Sequence, residues 1–230
     1  MSSKVEDPRS RRTRSALVDA GLSLFGERAP DAVTIDEIVS RAGVGKGSFY
    51  NHFTDREGLV RAIGERLRCD VEEQVRLANA GIADPAVRMV RANFCYYRFA
   101  IERRTMASFA LRSAGWPDAT GMADLDDGLW RDLEEGIASG RFRLRSLESG
   151  MVFVRGVVRQ MICTSLAATP NHATGAGLIE IGKMVLLGLG MEDRESEALA
   201  VEACAELVEP LLLACPAGSV EGGTGATGRG

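Results

Sequence analysis

Along most of this chain apolar residues recur every three or four positions, and no stretch alternates apolar and polar residues over the length of a strand. The first periodic segment opens near Arg9 and runs to about Arg28, with Leu17, Ala20, Gly21, Leu24 and Phe25 on one face. Ala29-Pro30-Asp31 ends it. The next helix carries a full start signal: Thr34 as N-cap, Glu37 completing a capping box, and Val33 and Ile38 as a hydrophobic staple. Gly43 marks a tight turn, and a short polar and aromatic helix is expected from Lys46 to Phe53. Thr54 and Glu57 read as a second capping box, starting a helix from Asp55 to about Ala78.

After Gly81 the composition shifts. Asp84-Pro85 is a strong helix start, and Val87, Val90, Phe94, Tyr97 and Ile101 follow at helical steps, predicting one helix to about Ser113. Gly115-Trp116-Pro117 breaks the chain, one or two helices fill the interval to Ser139, and Gly140 is a stop. Residues 147–168 and 178–189 are apolar nearly all round, the mark of helices buried on more than one side. A last helix is expected from Ser196 to Leu213, disturbed at Pro210. The fold class is all-α, with about nine or ten helices. Four regions result: a flexible basic arm (1–9), a small three-helix domain (10–58), a larger helical domain (59–215), and a disordered Gly-rich tail (216–230).

The small domain suggests its own chemistry. Helix, tight turn and helix is the arrangement that lays its second helix in the major groove of DNA. Here that helix offers Lys46, Ser48, Tyr50, Asn51 and His52, which suit phosphates and base edges. A net charge of −4 argues against a generic nucleic-acid binder, but the charge is unevenly placed. Lys4, Arg9, Arg11, Arg12 and Arg14 crowd the start, whereas Glu192, Asp193, Glu195, Glu197, Glu202, Glu206 and Glu209 crowd the end. Whether Arg9 to Arg14 touch phosphate or only solvent stays open.

Other function classes are disfavoured. Five cysteines without a CxxC spacing and only two histidines suggest neither a disulfide framework nor a metal site. No apolar run approaches a membrane span, so a cytoplasmic protein with no membrane partner is expected. The chain has no G-x-S-x-G elbow and no P-loop; neither an enzyme nor a cofactor is anticipated.

Over about residues 10 to 60 the chain resembles the TetR family of bacterial transcriptional regulators. The resemblance rests on Ala16-Leu17, Ala20-Gly21, Leu24-Phe25, Val33-Thr34-Ile35, Ile38, Ala42-Gly43-Val44, Gly47-Ser48-Phe49-Tyr50, His52-Phe53 and Glu57 with Leu59. It implies that Thr34, Tyr50, His52 and Arg56 bind the DNA backbone, with Arg56 standing where the family most often has lysine. It implies too that Lys46, Ser48 and Asn51 face the groove floor, with Gly47 in the same DNA-binding set. Gly45 departs from the serine commonly found as N-cap, at a cost of a few tenths of a kcal/mol.

A single reading head spans few base pairs, so a homodimer on two half-sites of an operator is expected. The resemblance implies that the last long helices pair across the twofold axis. Their apolar stripes nominate Val154, Val158, Ile162, Leu178, Ile181, Val185 and Leu189 as the interface. Phe94, Tyr97, Phe109, Trp116, Met122, Trp130, Phe153 and Met161 exceed the needs of a helix core and nominate a pocket for a small, largely apolar effector. Arg98, Arg104, Arg155 and Arg159 are candidate polar anchors. The expected protein is a ligand-responsive repressor. The alternative is a DNA-bound interaction or dimerisation module without an effector.

Overall fold

The computed structural model describes residues 7–113, 126–167 and 175–214, and the regular elements among these are all helical. They are α1 (Pro8–Glu27), α2 (Ile35–Ala42), α3 (Lys46–Tyr50), α4 (Arg56–Ala78), α5 (Pro85–Glu102), α6 (Arg104–Ser113), α7 (Asp126–Ala138), α8 (Leu147–Ala167), α9 (Gly175–Gly188), α10 (Asp193–Leu207) and α11 (Glu209–Ala214). A 3-10 turn at Pro30–Ala32 joins α1 to α2. The described residues thus hold eleven α-helices rather than nine or ten. The expected tail at 216–230 and most of the basic arm lie outside the described residues, as do Trp116 and Met122.

The additional helices come from two breaks. The stretch expected as one helix to Ser113 divides at Arg103, whose backbone leaves helical geometry at φ −123° and ψ 49°. The last helix divides at Val208. Pro210 supplies the reason: it has no N–H for the carbonyl of Glu206, and its ring would collide with that carbonyl in a continuous helix.

Local starts follow side-chain chemistry. The Asp7 carboxylate accepts the Arg9 amide at 3.0 Å and Pro8 opens α1. The capping box at α2 is complete, with the Glu37 amide donating to the Thr34 hydroxyl and the Thr34 amide to the Glu37 carboxylate. At α4 the cap sits one residue later than expected: Asp55, not Thr54, accepts the Gly58 amide at 2.7 Å. Asp55 has the extended backbone of a cap, and its carboxylate faces the positive end of the helix dipole.

Two apolar cores result. The first gathers Leu17, Leu24, Phe25, Ile38, Phe49, Leu59 and Ile63, and it extends to Phe99, Met106 and Phe109 from α5 and α6. The second surrounds α5, with Val90, Phe94 and Tyr97 packed among Leu133, Val154, Met161, Leu178, Val185, Leu186 and Ala200. The two units meet where α6 lies on α1. There the Phe25 and Phe109 rings stack at 6.2 Å between centroids, and Arg112 donates to the Gly26 carbonyl at 3.0 Å. α4 runs across the expected boundary at 58, since Leu59, Val60 and Ile63 still belong to the first core.

Candidate nucleic-acid interface

Gly43 allows the sharp passage from α2 to α3. Its φ of +67° lies in the left-handed region, and its amide closes α2 on the carbonyls of Ser40 and Val39. Phe49 and Phe53 then point inward, fully or nearly fully buried, and hold the short α3 against the first core. This inward anchoring leaves the polar residues of α3 on the outer face.

Lys46, Gly47, Tyr50 and Asn51 are all exposed there. A side chain added at Gly47 would meet nothing within 4 Å, so the backbone at this point is open to a close partner. Tyr50 is 53% exposed and stands edge-on to Phe49, with centroids 5.5 Å apart, so that packing fixes the ring. Ser48 and His52 are half-buried, and the His52 ring lies against Phe53 at 6.4 Å. The Lys46 ammonium is paired with Asp36 of α2 at 2.9 Å, and this partner holds its pKa above the ordinary lysine value.

Two of the expected phosphate ligands also make bonds within the chain. The Thr34 hydroxyl accepts from the Glu37 amide at 3.2 Å and donates to the Glu37 carboxylate at 2.9 Å. The Arg56 guanidinium donates to the carbonyls of Asp31 and Val33 at 3.1 and 3.0 Å, tying α4 to the turn before α2. Arg56 therefore braces the domain. Glu37 is itself held at a pKa of about 2 by the Thr34 amide first, then by Arg28 and the Thr34 hydroxyl.

Arg14 of α1 also lies close to the reading head. Its guanidinium sits 5.4 Å from the centroid of the Phe53 ring, which places a cation of α1 beside the end of α3. No spacing rule links positions 14 and 53; only the packing of α1 against α3 does.

Residues 17–63 match the model for bacterial regulatory proteins of the tetR family. The repressor DhaR of Mycobacterium sp. (strain GP1) is 32% identical over 81 residues, covering 35% of this chain and 41% of that protein. The A-factor receptor protein of Streptomyces griseus is 36% identical over 64 residues, covering 28% of this chain and 23% of that protein. The chain thus spans less than half the length of these curated relatives. Likeness in three dimensions reaches further. The crystal structure of RolR in complex with resorcinol superposes with a TM-score of 0.63 at 26% identity, covering 84% of this chain and 94% of RolR. A γ-butyrolactone receptor (ArpA-like protein) shares the fold, with a TM-score of 0.62 at 21% identity and coverage of 86% and 99%.

Residues 17–63 are a TetR-family DNA-binding domain.

Beyond this TetR-family domain, the helical unit redistributes the expected site residues. Phe94 and Tyr97 are buried in the second core, and Met161 is 6% exposed there. Phe109 is not with them: it lies in the first core, stacked on Phe25. Trp130 and Phe153 are 45% and 37% exposed, so neither lines an interior space. Among the proposed anchors, Arg155 and Arg159 are exposed on α8, and Arg104 donates to the Leu166 carbonyl at 2.9 Å. Arg98 lies 3.8 Å from Glu102 one turn on.

The expected interface residues are also moved inward. Val154, Leu178, Val185 and Leu189 pack within this chain's own second core, while Val158, Ile162 and Ile181 are half-buried. Helices apolar all round disclose no outward side, and a shift of one residue turns a stripe by about 100°. Among the described residues of α8 and α9, the large apolar side chains left open are Val152 and Phe153 on α8 and Met184 and Leu187 on α9, with Gly156 exposed on α8. Gly182 of α9 admits this chain's own Phe94, whose ring lies 2.8 Å from where a Cβ would stand.

Proposed function

We propose that this chain is a homodimeric transcriptional regulator that releases its operator when the C-terminal unit binds a small, largely apolar molecule. The observation that carries the DNA half is the outer face of α3, where Lys46, Gly47, Tyr50 and Asn51 stand exposed on a TetR-family domain. Tyr50 and His52 suit phosphate oxygens, and Lys46, Ser48 and Asn51 suit base edges. Thr34 and Arg56 act on DNA indirectly, by fixing the start of α2 and its distance from α4.

The effector half is supported by the likeness to RolR, whose structure holds resorcinol, and by the joint between the two units. The Phe25–Phe109 stack and the Arg112 bond to Gly26 couple α6 to α1, so a displacement of α6 carries the reading head with it. A ligand moves such an equilibrium only by its difference in affinity for the two states; a near-complete switch needs about 10⁴-fold.

A second reading has one observation behind it. The close seat of Phe94 over Gly182 is that of a filled bundle, which fits a unit serving dimerisation alone. Selection of bound genomic fragments, followed by a screen for compounds that release the recovered duplex, separates the two. Release supports the sensor; binding that no compound alters supports the interaction module. Loss of any selected fragment would sink both.

A further inference from the structure

We infer that Asn93 is the polar anchor of the effector site, and that the effector is a small neutral molecule with an apolar body and one hydrogen-bond acceptor. This rests on the ligand-responsive reading above.

Asn93 lies in the middle of α5, the helix around which the second core is built, and is only 4% exposed. Its side-chain Nδ2 is sealed from solvent and has no hydrogen-bond partner. A buried amide without a partner is costly, and such groups in folded proteins point to a role or to a missing partner. The helical neighbours of Asn93 show what kind of partner is missing. Met89 and Tyr97, four residues to either side, share its face, and both are buried in the second core with Met151, Val154 and Met161 of α8. These surroundings are apolar, and methionine side chains repack readily around an added molecule.

The anchor's chemistry selects the ligand. An N–H donor asks for an acceptor: a ketone, lactone, phenol or ether oxygen. A carboxylate would need a cation, and Arg88 and Arg91 of the same helix are engaged elsewhere. Arg91, on the opposite face of α5, binds Glu206 at 2.8 Å and the carbonyl of Ala78 at 3.0 Å. Arg88 donates to Asp132 at 2.7 Å and to Glu135. Burying an unpaired charge beside Asn93 would therefore be unfavourable.

The test uses probes matched in shape. Acetophenone with ethylbenzene, and larger aryl ketones with their aryl alkane partners, are titrated into the full chain. Binding is followed by calorimetry and by the Asn93 side-chain amide resonances, assigned through their loss in Asn93→Leu. The expected result is a preference for ketone over hydrocarbon of about five- to tenfold, the size of one neutral hydrogen bond. Only the ketone should shift the Asn93 amide. In Asn93→Leu the preference should vanish, while the melting temperature holds or rises because an orphan donor has gone.

Equal binding of ketone and hydrocarbon, or a ketone preference that survives in Asn93→Leu, overturns the proposal. So does an amide satisfied by a bound water that no probe displaces. If no pair in the series binds, the proposal is likewise overturned. These results are distinct from failure of the sensor reading. In that case no compound, matched or not, releases DNA from the wild-type protein; if Asn93 alone is misassigned, a compound releases DNA from wild type and Asn93→Leu alike.

Discussion

The Lys46 ammonium lies 2.9 Å from a carboxylate oxygen of Asp36, so the first residue of the recognition helix is held by the first turn of the helix before it. Both side chains are more than half exposed, and such a pair adds little stability. Its consequence is electrostatic: on the proposed DNA-facing side, the carboxylate partly neutralises the Lys46 cation.

Asp36→Asn is therefore expected to tighten binding to random-sequence duplex. The slope of log K against log salt should steepen by up to about 0.9, the increment for one added phosphate contact. Fluorescence anisotropy across a salt series measures it. An unchanged slope would mean that Lys46 does not reach the backbone.

Tyr50→Phe removes a neutral donor from the exposed face while keeping the edge-on contact with Phe49. Affinity for every duplex should fall by about five- to tenfold, with the salt slope unchanged because no charge is lost. Folding stability should not move. A variant that binds as wild type would take Tyr50 out of the interface.

Arg56 yields the opposite pattern. Because its guanidinium bridges the carbonyls of Asp31 and Val33, Arg56→Ala should cost about 1–3 kcal/mol of stability in denaturant unfolding. Arg56→Lys should recover only part of this, since an ammonium lacks the fork. Full stability in the alanine variant would return Arg56 to the phosphate-binding set.

Glu37 makes the domain acid-sensitive in a defined window. Its folded pKa of about 2 lies below the ordinary value of 4.5, so its contribution is fully present above that value and is lost as pH falls toward 2. Glu37→Gln should flatten stability against pH between 4.5 and 2, read by circular dichroism melts. An identical acid limb in wild type and variant would show that other carboxylates govern it.

The dimer is tested by contrast. Val185 is 1% exposed in the second core, so Val185→Glu should cost more than about 3 kcal/mol and unfold the helical unit. Met184, one residue earlier and 56% exposed, should accept glutamate without loss of melting temperature. If α9 carries the interface, Met184→Glu runs as a folded monomer in analytical ultracentrifugation. A stable Met184→Glu dimer would place the interface elsewhere.

Much of what short-range chemistry governs was legible in the chain itself, although the α4 cap falls on Asp55 and not on Thr54. The α2 cap at Thr34 and Glu37, the left-handed turn at Gly43 and the start at Asp84-Pro85 depend on residues within a few positions of each other. Contacts between residues distant in sequence had no such signal. Arg56 is spent on carbonyls more than twenty positions away, Arg14 caps the Phe53 ring in the turn after α3, and Phe109 serves the first core rather than a pocket. Nor does the apolar character of α8 and α9 tell which side faces inward. Periodicity measures how much of a helix is apolar; only the neighbours packed around it decide that Val185 is core and Met184 is surface.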